Sequence, residues 1–126
     1  MTLLAVKKPN AKRAAEFFES KCEFTTGPVE VSCMIQERHP DLSVIDVREH
    51  KDYAQGHIPG AINLPRDQWD RCEGLSKDKT QILYCYSQNC HLAAKGAEYF
   101  SRLGFPVMEM EGGFEAWQEK GLPVEK

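Results

Sequence analysis

The chain has 126 residues, enough for one domain that buries a core without disulfide support. Its 16 basic and 19 acidic residues give a net charge of -3, which argues against a nucleic-acid or anionic-membrane partner. No apolar run approaches the roughly 20 residues that a membrane span needs, and the first residues lack a secretory apolar region. We therefore expect a cytoplasmic protein with no membrane or nucleic-acid partner.

The cysteines are odd in number and irregularly spaced, which is typical of free thiols in a reducing compartment. They are Cys22, Cys33, Cys72, Cys85 and Cys90. Cys85, Cys90 and His91 form no paired CxxC knuckles and have no fourth ligand beside them. We expect neither a metal site nor another cofactor.

The first predicted element is a helix over residues 11–21, which Asn10 can cap through its side-chain oxygen. Its apolar face is formed by Ala14, Phe17 and Phe18, and we expect both phenylalanines to lie in the core. A short edge strand is predicted to follow at residues 23–25.

A second helix is predicted from the Gly-Pro pair at 27–28 to about residue 38, because proline fits the first turn of a helix. The His-Pro pair at 39–40 ends it. Its buried residues are expected to be Val29, Met34 and Ile35.

Strand and helix patterns alternate through the rest of the chain. Strands are predicted at 42–47, 61–64, 82–84 and 107–110, and helices at 49–55, 91–103 and 114–120. The runs at 42–47 and 82–84 are almost entirely apolar, which is typical of buried parallel strands. This alternation predicts an α/β fold, a central parallel sheet of about five strands with helices on both faces.

A short loop connects the strand at 82–84 to the next helix, and Cys85 is its first residue. The remaining loop residues are Tyr86, Ser87, Gln88, Asn89, Cys90 and His91. Ligands bind at the carboxyl ends of strands in such sheets. Backbone N–H groups before a helix also stabilise a thiolate, so we expect a lowered pKa and a nucleophilic Cys85.

Three sequence blocks in this order resemble the rhodanese (thiosulfate sulfurtransferase) family. They are DVRE at 46–49 with GHIPGAIN at 56–63, the Cys85 loop, and EGGFEAW at 111–117. The resemblance implies a rhodanese-like domain at 23–126 after an N-terminal helical extension at 1–22. It also implies a persulfide on Cys85, which takes sulfur from thiosulfate or a persulfide and passes it to a thiol, a cyanide-like acceptor or a sulfur-relay protein.

The loop departs from the common family pattern. Tyr86 and Cys90 stand where many members carry arginine, and the interval from Cys85 to Gly104 is slightly longer than usual. The missing cations weaken the expectation of thiosulfate as the donor. The successive backbone amides of residues 86–91 remain available to hold a persulfide anion.

Two loop residues, Cys90 and His91, each have two interpretations. Cys90 either resolves a persulfide or sulfenic acid by forming a disulfide with Cys85, or is a small apolar residue at a helix start. His91 is either a helix-start residue or a general base. Asp46 and Arg48 lie on the same edge of the sheet, and we expect them to support the site through hydrogen bonds.

Three alternatives to sulfur transfer stay open. Cys85 and Cys90 are also a candidate thiol–disulfide redox pair. Phosphatases of the cell-cycle type share this fold, but phosphate chemistry needs a loop arginine, and none occurs between Cys85 and Arg102. A catalytically silent binding module is the last alternative, although such modules commonly lack the cysteine.

Overall fold

A computed structural model describes residues 3–126. The helices are α1 (Ala11–Phe24), α2 (Pro28–Gln36), α3 (His50–Gln55), α4 (Leu92–Arg102) and α5 (Gly113–Glu119), with a 3₁₀ helix at Arg66–Arg71. The strands are β1 (Thr25–Thr26), β2 (Leu42–Asp46), β3 (Ile62–Asn63), β4 (Thr80–Tyr84) and β5 (Val107–Met110). The predicted order of elements is confirmed. No helix within the described residues is long and apolar enough to cross a membrane.

All five strands form one parallel sheet in the order β1-β5-β4-β2-β3. The predicted α/β fold with a central parallel sheet is therefore confirmed. The central strand β4 is paired with β2 on one side and β5 on the other. Because parallel strands end at the same edge, the residues that follow β2 and β4 are neighbours.

Alternate side chains of the central strands pack into two separate cores. Val44 and Ile82 belong to the core that also contains Trp117 of α5. Ile45 and Leu83 point to the opposite face and pack with Phe100 of α4. Helices therefore cover both faces of the sheet, and Cys85 enters the second core directly after β4.

Helix α1 differs from the sequence expectation. Phe17 and Phe18 are 60% and 56% exposed, so their predicted place in the core is wrong. Asn10 does cap the helix, accepting a hydrogen bond from the Arg13 N–H at 3.1 Å. The helix continues to Phe24, one turn further than predicted, so the strand predicted at 23–25 begins only at residue 25. No α1 residue is buried, and its two phenylalanines contact each other with ring centroids 5.0 Å apart.

Helix α2 is also rotated relative to the prediction. Val29 is 50% exposed, whereas Val31 is fully buried. Residues two positions apart lie on different faces of a helix, so burial of Val31 turns Val29 to solvent. Met34 and Ile35 pack against the core as expected.

Candidate active site

The site lies at the carboxyl edge of the sheet, where β2 and β4 end side by side. Asp46 and Tyr84 are register partners, and Cys85 follows at once. The Cys85 side chain is 2% exposed. A tight turn comes next, in which the Cys90 N–H donates to the Ser87 carbonyl at 3.2 Å.

The loop rests on the first turn of α5. The Phe114 N–H donates to the Cys85 carbonyl at 2.8 Å, and the Glu115 N–H donates to the Tyr86 carbonyl at 3.0 Å. Gly112 adds a third bond by donating its N–H to Gln88 Oε1 at 2.7 Å. The EGGFEAW block therefore binds the cysteine loop through its backbone.

Gly113 is the closest point of this contact. It has a φ of +62°, and a Cβ placed there would lie 2.6 Å from the Ser87 nitrogen and 2.8 Å from the Cys85 carbonyl oxygen. No side chain fits in that space. The sequence predicts a helix-opening turn here, and the structure adds its role in seating the loop.

A buried ionic cluster lies beneath the loop. Arg48 Nη2 donates to Asp46 Oδ2 at 2.7 Å and to the Gly56 carbonyl at 2.7 Å, and Arg48 Nε reaches Asp46 Oδ1 at 3.0 Å. The Tyr84 hydroxyl donates to Asp46 Oδ2 at 2.7 Å. Burial, and then the Asp46 charge, raise the pKa of Tyr84 above its usual range. The Arg48 guanidinium also lies 4.2 Å from the Phe114 ring centroid, so this ring and the bonds of Nε and Nη2 hold it in place.

Tyr86, the residue after the cysteine, ties the loop to α3. Its hydroxyl donates to Asp52 Oδ2 at 2.6 Å and accepts from the Glu49 N–H at 3.2 Å. Burial, and then the hydrogen bond to Asp52, raise the pKa of Tyr86 to about 12. Asn89 and His91 are exposed, and the latter is the N-cap residue of α4 without a side-chain cap bond.

The two loop cysteines are free thiols and neighbours. The Cys85 Sγ–H donates to the Cys90 carbonyl at 3.4 Å. The pKa values of the two thiols are linked, because Cys90 raises the pKa of Cys85 and Cys85 lowers the pKa of Cys90. Cys90 is only partly buried, so it is the more accessible of the two. The structure thus places Cys85 Sγ against the backbone of Cys90, two residues that the sequence relates only by their spacing.

Burial and local contacts separate the pKa values of these thiols. Burial raises the pKa of Cys85, and interaction with Cys90 raises it further, although the backbone N–H groups of Ala93 and Ser87 oppose this. The predicted lowering of the Cys85 pKa is therefore wrong for the free thiol, because burial outweighs the amides.

The balance is reversed at Cys90. Its partial burial disfavours the thiolate, but the interaction with Cys85 and the backbone N–H groups of Leu92 and Tyr86 outweigh it. Together they lower the pKa of Cys90. Of the two cysteines, Cys90 is the one whose thiolate the loop favours.

Glu109 is a neighbour that the sequence reasoning missed. It lies on β5 opposite Leu83, and burial, followed by the charge of Glu111, raises its pKa. Its carboxylate raises the pKa of Cys90 and is itself influenced by His91, so it faces this end of the loop. The available signal is a charged residue inside a short apolar strand.

Open grooves border the loop, and two of them lie next to the residues of the buried cluster. One of about 490 Å³ is lined by Val47, His50, Arg66 and Leu92 among others. The second, of about 450 Å³, is lined by Arg48, Asp52, Tyr86 and Phe114 among others. Neither lining includes Cys85, whose sulfur lies below the surface. Within residues 3–126, no three Cys, His, Asp or Glu side chains are grouped as metal ligands would be.

Sequence comparison identifies relatives across most of the chain. The profile of the Rhodanese-like domain family matches residues 28–120. An HTH-type transcriptional regulator of Mycobacterium tuberculosis is 34% identical over 87 residues, which are 68% of this chain and 38% of the regulator. The putative sulfurtransferase YtwF of Bacillus subtilis is 33% identical over 88 residues, 69% of this chain and 84% of that protein. The chain thus spans well under half of the regulator and most of the Bacillus protein.

Structural comparison also finds a solved structure that matches most of this chain. The crystal structure of the BH2092 protein of Bacillus halodurans superposes with a TM-score of 0.83 at 35% identity, covering 92% of this chain and 86% of that one. A likeness of this degree extends over nearly all the elements described above.

Proposed function

The chain belongs to the rhodanese-like domain family, and we propose that it is a sulfurtransferase that carries sulfane sulfur as a persulfide on Cys85. Several relatives about one-third identical to it bear the name sulfurtransferase. The observation that carries the proposal is the position of Cys85, buried at the end of the central strand in a loop of backbone amides. The family match begins at residue 28, after α1 has ended at Phe24. This supports a helical extension ahead of a rhodanese-like domain, with the boundary at the end of α1 and not between residues 22 and 23.

Sulfur transfer needs a thiolate that attacks the outer sulfur of a donor. With thiosulfate, a bond forms between Cys85 Sγ and that sulfur while the bond to the sulfite group breaks, and sulfite leaves with the electron pair. The N–H groups of Ser87 and Ala93, which favour negative charge at Cys85, then stabilise the persulfide anion. A thiol or cyanide acceptor attacks the outer sulfur and returns Cys85 as a thiolate.

The charges around the loop favour a donor that needs no cationic anchor. Tyr86 and Cys90 replace the arginines common in the family, and Arg48 is held by Asp46. A doubly charged anion such as thiosulfate lacks a bidentate partner here. We therefore expect a low-molecular-weight persulfide to load Cys85 faster than thiosulfate does. In this proposal Asp46 and Arg48 support the loop and do not touch the donor.

Thiocyanate formation tests the proposal. Reduced protein receives cyanide together with thiosulfate in one series and glutathione persulfide in another. The wild type and the matched control Cys33→Ser, which changes an exposed cysteine outside the site, should form thiocyanate, and Cys85→Ser should not. Equal turnover in Cys85→Ser, with circular dichroism showing intact folding, would overturn the proposal.

The contact between Cys85 and Cys90 favours a second candidate, a thiol–disulfide redox protein. In that case oxidised glutathione should convert the reduced chain to a Cys85–Cys90 disulfide, and no sulfane donor should add sulfur to Cys85. Sulfur addition to Cys85 from either donor would contradict this candidate as the sole function.

A further inference from the structure

The second cysteine of the loop has no part in the reaction just described, yet it lies against the first. We infer that Cys90 is a built-in resolving thiol. It attacks the Cys85 persulfide, closes a Cys85–Cys90 disulfide and releases the carried sulfur as hydrosulfide. The inference rests on the proposed persulfide and assigns the fate of its sulfur.

The first support is the placement of the two side chains. Cys85 is 2% exposed, so an external thiol would have to displace part of the loop to attack Cys85 Sγ itself. Cys90 is already there, because the Cys85 thiol donates to the Cys90 carbonyl oxygen at 3.4 Å. An attacking group held inside the loop avoids both the displacement and the entropic cost of a bimolecular encounter.

The second support is the chemical state of Cys90. Exchange between sulfur atoms requires a thiolate as the attacking group. The backbone N–H groups of Leu92 and Tyr86 act to lower the pKa of Cys90, and they remain in place when Cys85 carries the outer sulfur. The loop therefore favours the thiolate at the residue that has to attack.

The step balances without an outside oxidant. The step takes place on the protonated persulfide, Cys85–S–SH, which the anion becomes by taking one proton from water. The electron pair of the Cys90 thiolate forms a bond to Cys85 Sγ, the bond between that sulfur and the outer sulfur breaks, and the outer sulfur leaves with these electrons and its proton as hydrosulfide. The two cysteines together lose two electrons, and the sulfane sulfur gains them. The next cycle requires a dithiol reductant, which meets the disulfide from the side of the more exposed Cys90.

The leaving group decides which sulfur of the persulfide is attacked. Attack on the outer sulfur would expel the Cys85 thiolate, and burial raises the pKa of that group. Attack on Cys85 Sγ expels hydrosulfide, a weaker base than an alkyl thiolate. Since the group with the lower pKa leaves faster, the disulfide and free sulfide are the favoured products.

The test follows the fate of a single loaded sulfur. Reduced wild type, Cys33→Ser, Cys90→Ser and Cys90→Ala are each loaded with glutathione persulfide, separated from it by gel filtration and kept without reductant. At intervals, samples are alkylated and measured by intact mass, and released sulfide is titrated. Two substitutions at Cys90 are used, with circular dichroism, so that one poorly folded variant does not decide the result.

The wild type and Cys33→Ser should lose the added sulfur, release an equal amount of sulfide and gain a disulfide between Cys85 and Cys90. Either Cys90 variant should hold its persulfide at least about tenfold longer. A dithiol should restore the wild type for a second round of loading.

The remaining outcomes distinguish a failure of the resolving role of Cys90 from a failure of the proposed Cys85 persulfide. Equal persulfide lifetimes in the wild type and the Cys90 variants would overturn this inference and leave the Cys85 persulfide standing. Sulfur that moves to Cys90 as a second persulfide would also overturn it, since that product requires attack on the outer sulfur. No added sulfur in any folded variant that retains Cys85 would overturn the proposed function itself.

Discussion

Two groups of residues share one edge of the sheet and are held in opposite ways. The cluster of Asp46, Arg48 and Tyr84 is buried, charged and hydrogen-bonded internally at distances between 2.7 and 3.1 Å. The loop that starts at Cys85 is instead bound through its backbone, and its two thiols depend on each other. The comparison indicates that the cluster is a rigid structural support, while the loop keeps two sulfur atoms able to react.

The largest expected effect comes from disrupting the buried cluster of Asp46, Arg48 and Tyr84. Asp46→Ala leaves the buried Arg48 guanidinium without its carboxylate, which should lower the free energy of unfolding by about 3–5 kcal/mol. Urea denaturation measures this. The matched control Asp78→Ala changes an exposed carboxylate and should cost less than about 0.5 kcal/mol. Similar values for the two variants would mean that the cluster does not anchor this edge.

The next effect comes from forcing the loop away from α5. In Gly113→Ala the new Cβ would lie 2.6 Å from the Ser87 nitrogen, so the loop must shift, and sulfur loading of Cys85 should slow at least about tenfold. Gly121→Ala is the matched control because its φ of +66° is nearly the same and no atom lies within 4 Å.

Gly121→Ala should show the cost of a left-handed residue alone, about 1–2 kcal/mol in urea denaturation. Gly113→Ala should cost more because of its clash with the loop backbone, and only this variant should slow loading. Equal loading rates in the two variants would mean that seating of the loop on α5 is irrelevant to the chemistry.

A third prediction concerns the coupling of the thiols. Interaction with Cys90 raises the pKa of Cys85, so Cys90→Ala should lower that pKa. Because only the thiolate reacts, the pH profile of Cys85 alkylation by iodoacetamide should move to lower pH. Cys33→Ala should leave the profile in place. A shift to higher pH in Cys90→Ala would show that Cys90 favours the Cys85 thiolate instead.

The smallest effect is expected at the outer side of the loop. Tyr86→Phe removes hydrogen bonds to Asp52 and Glu49 at an exposed position, which should cost about 0.5–1 kcal/mol of unfolding free energy. Sulfur loading should change less than about threefold, since that free energy corresponds to a small change in rate. A loss as complete as that of Cys85→Ser would place the Tyr86 hydroxyl in the reaction.

Most of the fold was predictable because its signals are local. The apolar runs predicted the central strands, and the position of Cys85 at the end of a strand predicted which edge of the sheet carries the site. Gly104 follows the C-cap of α4, and its φ of +93° is one that favours glycine after a helix end.

The sequence predictions were wrong where burial depends on tertiary packing. An apolar face predicts burial only if another element covers it, and nothing within residues 3–126 covers Phe17 and Phe18. The raised pKa of Cys85 depends on how deeply the sulfur is buried, which strand-end position does not reveal. Glu109 was missed because its closeness to Cys90 comes from the pairing of β4 with β5.

The central claim, a persulfide on Cys85, is tested most directly in the Cys90→Ser background. Trypsin would release residues 80–95 as one peptide, between Lys79 and Lys95, and in this variant Cys85 is its only cysteine. After reaction with glutathione persulfide, this peptide should carry one added sulfur, which cyanide removes as thiocyanate. A folded protein whose 80–95 peptide gains no sulfur, or whose sulfur appears only on the peptides of Cys22, Cys33 or Cys72, would contradict the account.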